Sequence, residues 1–203
     1  MDKMKNGAVL RNGTQRTAKE VFEKYAIVIA FLALLIVVSI LCSSFLTPSN
    51  LILVLNQTSI NGILAVGITY VLITAGIDIS IGSVVGLSGV ISAMVVKAGA
   101  PLPVGFLCGI LAGTLVGVII GILVTKGKLA PYIVTLGFLT IIRGAALLIA
   151  GGRPISSLGD AYGWIGNHNV FGVIPCPVII FLIVVVIGHI ILAHLQIGRY
   201  IYA

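Results

Sequence analysis

Between Tyr25 and Val96 the sequence carries a single formally charged side chain, Asp78, within LITAGIDISIGSVVGLSG (72–89). A carboxylate flanked by long apolar runs is costly, and marks either a span boundary or a functional site. Two tasks are open to it. It could cap or shape the start of the following helix, where orphan N–H groups and the positive dipole end favour an anion. It could instead line a polar path or its gate. Arg143 poses the same question with the opposite sign, since a guanidinium cannot discharge and must find acceptors, snorkel or face water. A path role and a structural role both remain open for it. Asn56, Gln57 and Asn61 form a third group, falling within an arc of about 140° on a continuous helix. Amides in such a place bond to other helices or to a permeating polar solute, whose hydroxyls both donate and accept.

Nothing else in the chain suggests bond-making chemistry. His168, His189 and His194 lie apart from carboxylates and cysteines, so neither a metal site nor a catalytic triad is expected. Cys42, Cys108 and Cys176 sit in or beside apolar runs without paired spacing, and read as small packing residues. TKGK (125–128) lacks the glycine frame of a phosphate-binding loop, so no nucleotide hydrolysis by that route is expected. The expectation is a non-enzyme without cofactor.

The elements that must position these residues follow from composition. The chain is 59% hydrophobic and 8% charged, against about 25% charged residues in a soluble domain. That excludes a surface facing water throughout, and the expected class is an all-α polytopic membrane protein. Apolar runs of about 20 residues cross the hydrocarbon core. They occur near 26–46, 51–74, 80–97, 103–125, 131–150 and 175–195, giving about six transmembrane helices, the second open to a break. All seven prolines fall in connections or at span ends, where a missing N–H is tolerated. The long connection 151–174, with Tyr162 and Trp164, reads as an interfacial or re-entrant segment.

Of the 12 basic residues, Lys3, Lys5, Arg11, Arg16, Lys19 and Lys24 precede the first span. They make residues 1–24 a basic cytoplasmic segment and 25–203 the transmembrane domain. By parity Lys126, Lys128 and Arg199 lie on the same side as the N-terminus, and Lys97 and Arg153 opposite. The net charge of +7 thus reports membrane orientation and no nucleic-acid partner. Glycine recurs at every fourth position in the fourth span (Gly105, Gly109, Gly113, Gly117, Gly121), and Gly82, Gly86 and Gly89 mark the third. Both stripes predict close helix packing, with sliding or rocking during transport as a further role.

Four segments carry a family resemblance: LNQTSINGILAVGITYVLITAGIDISIGSVVGLSGV (55–90), VTKGKLAPYIVTLGFLTIIRG (124–144), GGRPIS (151–156) and LQIGRYIYA (195–203). In this order they resemble the membrane permease of ribose-type ABC sugar importers, whose G-I-D-L-S-V-G-S pattern matches GIDISIGS. The resemblance implies a permease subunit forming the path for a monosaccharide such as ribose by alternating access. It further implies an ATP-binding partner subunit, an external sugar-binding protein, a second permease copy and the bacterial inner membrane. Family members are considerably longer and continue past the segment matching Gly198, Arg199 and Tyr200 into a region that docks the ATPase. The chain is therefore expected to be a piece of a longer product or a truncated one. A secondary carrier of polar solutes and a non-transporting permease fragment are the competing readings.

Overall fold

The computed structural model describes residues 23–170, 172 and 174–202. Most of the basic segment 1–24 lies outside them. The chain divides into two compact units, Met1–Leu53 and Val54–Ala203.

The first unit contains helix α1 (Glu23–Leu41) and the opening of α2 (Pro48–Ile73). The span expected over 26–46 ends earlier, because Phe45 N–H and Thr47 N–H bond back to Cys42 and Ser44 in tight turns. Asn50 Nδ2 then donates to the Phe45 carbonyl at 2.8 Å. Ser and Thr hydroxyls bonding to nearby backbone compete with helix continuation, and the SS–TPS composition supplies several. The second span carries no break, and α2 runs for 26 residues.

The second unit holds the rest of α2 and α3 (Ile81–Lys97), α4 (Leu102–Thr125), α5 (Pro131–Ile149), α6 (Asp160–Asn167), α7 (Cys176–His194) and α8 (Gln196–Tyr202). Among the described residues five helices are long and apolar enough to cross a membrane, and α3, with 17 residues, is a shorter sixth. At 1.5 Å per residue α3 extends about 26 Å, near the thickness of the hydrocarbon core. An all-α, multi-pass architecture follows. The one departure is a two-residue ribbon in the long connection, β1 (Asn169–Val170) antiparallel to β2 (Ile174–Pro175). Prolines open α2, α4, α5 and α7 as their fixed φ favours. Between α3 and α4 the chain reverses through Gly99 at φ +96°, a conformation that costs a side-chain-bearing residue.

The glycine stripes behave differently from one another. A Cβ on Gly109 would stand 2.8 Å from the Ser88 carbonyl, and one on Gly113 2.8 Å from Ser88 Oγ. At Gly105 it would collide with Val96 and approach the Ser92 carbonyl. Three glycines four residues apart on α4 therefore rest on Ser88, Ser92 and Val96, themselves four apart on α3. Gly117 and Gly121 meet nothing within 4 Å. Neither do Gly82, Gly86 and Gly89, so no described residue packs closely on the α3 stripe.

A second close approach joins α2 to α7. The Phe181 ring covers Gly62, and Tyr70 OH donates to the Gly188 carbonyl at 2.8 Å. Gly109→Ala should lower the thermal midpoint of the detergent-purified protein, by about 1–3 kcal/mol of overpacking. Gly86→Ala should leave it unchanged, and equal shifts for the two would refute this account of the stripes.

Candidate translocation groove

The open face of α3 is turned toward α5. Ser83 Oγ donates to the Leu139 carbonyl at 2.9 Å, tying the lower parts of the two helices together. Above that bond they leave a strip of two hollows. One, of about 310 Å³, is lined by Gly82, Gly86, Leu139 and Arg143. The other, of about 470 Å³, is lined by Gly86, Gly89, Ala93, Arg143 and Arg153. Gly86, Arg143 and Ala146 belong to both, so the strip is continuous. At three glycines the α3 side offers no side chain at all. Backbone polar groups and a narrow helix surface remain.

Arg143 stands about 18 Å along α5 from Pro131, well inside the span. Its side chain is exposed in this chain and has no hydrogen bond or ion pair among the described residues. A guanidinium at such depth requires an acceptor or water, and the groove is where either would sit. Neither Asp nor Glu lines the strip. Its fixed charge comes from Arg143 and from Arg153 at the outer end.

Asp78 is not in this groove. It lies in the α2–α3 linker, where its Oδ1 accepts from Ser80 N–H at 2.8 Å and Ser80 Oγ at 2.6 Å. This is an Asx-type clasp on the turn. Ser80 is fully buried and begins α3, which makes no side-chain capping bond of its own. The carboxylate therefore holds the entry to α3 without reaching the helix's free N–H groups. α5 braces the same linker, with the hydroxyl of buried Thr135 donating to the Pro131 carbonyl at 2.9 Å and to Ile77 at 3.3 Å. A separate hollow of about 400 Å³ opens beside Asp78, lined also by Thr74, Gly117, Gly121 and Thr125.

The three amides of α2 do not converge on Arg143. Asn56 Nδ2 donates to the Gly166 carbonyl of α6 at 3.1 Å. Gln57 and Asn61 are exposed, without a hydrogen-bond partner among the described residues. Gly198 is buried under the last carbonyls of α7, and Arg199 and Tyr200 are exposed on α8. Sequence reasoning missed Arg153 as a companion of Arg143. The only signal was its position just past α5, on a chain reversed through Gly151 and Gly152 at positive φ.

The described residues contain no group of three or more His, Cys, Asp or Glu side chains able to hold a metal. What the geometry offers is a largely apolar strip between two spans that carries two guanidinium groups, Arg143 and Arg153. The chain belongs to the family described as branched-chain amino acid transport system / permease component, which matches residues 50–203. It is 41% identical to the ribose import permease protein of Bacillus subtilis (strain 168), over 90% of this chain and 57% of that protein. It is 37% identical to the ribose import permease protein of Escherichia coli (strain K12), over 86% of this chain and 56% of that protein. The D-allose transport system permease protein of Escherichia coli (strain K12) is 34% identical, over 90% and 56%. The chain thus spans a little over half the length of these relatives. No solved structure matches it.

Because the Asp78 clasp needs only an acceptor oxygen, Asp78→Asn should keep most of the stability. Asp78→Ala should lose about 1–3 kcal/mol as Ser80 is left buried and unsatisfied. Thermal unfolding in detergent measures both, and a benign Asp78→Ala would exclude the clasp.

Proposed function

We propose that the chain is the permease part of an ABC importer for a monosaccharide such as ribose, and that the α3–α5 strip is its share of the translocation path. The observation that carries the reading is Arg143, a guanidinium inside a span without an acceptor among the described residues, facing a helix surface bared by three glycines. A sugar hydroxyl or water can accept from the guanidinium in turn, and backbone-lined walls allow close passage without a deep binding well. The names of the relatives support the solute class.

The partners follow from the same reading. A second copy of the permease faces the strip and closes it into a conduit. An ATP-binding subunit engages the cytoplasmic end, to which charge parity assigns Arg199 and Tyr200 of α8 and the α4–α5 turn with Lys126 and Lys128. A sugar-binding protein delivers solute at the end covered by α6. The basic N-terminal segment stays in the cytoplasm and the protein resides in the bacterial inner membrane, as the excess of Lys and Arg on one side favours. Asp78 acts in this scheme as a brace at the inner rim, and Gly82, Gly86 and Gly89 as wall. A carrier driven by ions calls for a mid-span carboxylate or histidine on the path, whereas Asp78 occupies a linker and His189 of α7 lines neither hollow of the strip.

The test is uptake of radiolabelled D-ribose by cells that carry the chain in its complete transporter. Arg143→Ala should reduce the initial rate about tenfold or more through the loss of one charged hydrogen bond in the path, and Gly86→Leu should reduce it at least as much by filling the strip, with protein levels unchanged. Inactivating the ATP-binding subunit should abolish it. Uptake that survives that inactivation and tracks an ion gradient would overturn the proposal.

A further inference from the structure

Helix α6 has two faces with different chemistry. On one, Tyr162 OH donates to Ser92 Oγ at 3.1 Å and its ring stacks on Phe106 with centroids 5.6 Å apart. The Gly166 carbonyl of α6 also accepts from Asn56. These contacts fix the short helix against α2, α3 and α4. On the other face Asp160, Gly163, Trp164, Asn167 and His168 follow one another at the 3, 4, 7, 8 spacing of a single helical stripe. They line a hollow of about 400 Å³ together with Gly159, within the size range of small-molecule sites.

The contents of that hollow are specific. Trp164, the only tryptophan of the chain, is 55% exposed and held by a stack on His168 with centroids 4.4 Å apart. One ring face is thus occupied and the indole orientation is set. The Asp160 and Asn167 side chains are exposed and have no hydrogen-bond partner among the described residues. Gly163 keeps the floor low, since a Cβ there would stand 3.0 Å from Asn167 Nδ2. A fixed aromatic face flanked by a carboxylate and an amide meets the needs of a pyranose or furanose ring. Its C–H face packs on the indole, the carboxylate accepts from two hydroxyls, and the amide both donates and accepts.

From this juxtaposition we infer that the outer face of α6 is a monosaccharide subsite in which Trp164 stacks on the sugar ring and Asp160 and Asn167 bind its hydroxyls. It takes the sugar class from the function proposed above, yet it is a separate place from the Arg143 groove and is tested without transport. The single tryptophan is the reporter. The chain in lipid nanodiscs is titrated with D-ribose, D-galactose and D-glucose, with mannitol as a linear polyol lacking a ring face.

At least one of the three sugars should change Trp164 emission saturably, and mannitol should not. Asp160→Ala and Asn167→Ala should each raise the half-saturating concentration about tenfold. Both positions are exposed, and an unchanged thermal midpoint shows that the fold is kept. The subsite is overturned if none of the three sugars alters the emission, if mannitol acts equally, or if the variants titrate like the parent. It is likewise overturned if brominated lipid chains quench Trp164, which places the ring in the bilayer. Saturable binding with no uptake would defeat the proposed transport function and leave this inference intact. Uptake with a silent Trp164 would do the reverse.

Discussion

The contact on which the second unit depends is the approach of α4 to α3 at Gly105, Gly109 and Gly113. In lipid the tails are as apolar as the side chains, so association rests on packing and on bonds between polar groups. Removing three side chains lets α4 rest on the backbone and short serines of α3. Ser88 and Ser92 are small enough to accept it, and Ser92 has a hydroxyl left over for Tyr162. Through that bond the packing of the two spans also seats α6, so the outer segment takes its place from the α3–α4 contact.

The same contact decides which face of α3 remains. Once its serine face is spent on α4, its glycine face is turned toward α5 and can only be closed there by side chains from α5. Those side chains are sparse. Leu139 and Ala146 narrow the strip, Ser83 pins its lower end, and Arg143 lines the middle without a partner among the described residues. At the helix entry, the clasp of Asp78 on Ser80 and the reach of Thr135 to Ile77 fix where α3 begins. They therefore fix the height at which its glycines stand.

Much of this was legible in the residues. Six apolar stretches marked by prolines at their ends gave the helices, because length and hydropathy report directly on the membrane's thickness. The uninterrupted α2 and the early end of α1 were less so. The end of α1 rests on turn bonds over a few residues, from Phe45 to Cys42 and from Thr47 to Ser44, which hydropathy does not register. Periodicity showed two glycine stripes but could not show that one is filled and the other open. Three glycines of the α4 stripe are packed because α3 presents Ser88, Ser92 and Val96 to them, whereas the α3 stripe faces α5 across the open strip without close contact among the described residues. The amides of α2 illustrate the same limit. A shared arc placed Asn56 with Gln57 and Asn61, yet the partner of Asn56 is a carbonyl 110 residues away.

The corner between α7 and α8 has a mechanical meaning. Leu195 leaves α7 in an extended conformation, and Gly198 is then pressed so closely on the carbonyls of Ile191 and Leu192 that no side chain fits. Such an elbow has little room to flex. A displacement of α8 at the exposed Arg199 and Tyr200 would therefore press on α7. The bond between Tyr70 and the Gly188 carbonyl ties α7 to α2, and Asn56 of α2 holds the Gly166 carbonyl of α6. The helices from α8 to α6 are thus joined in series by one tight glycine corner and two short polar bonds.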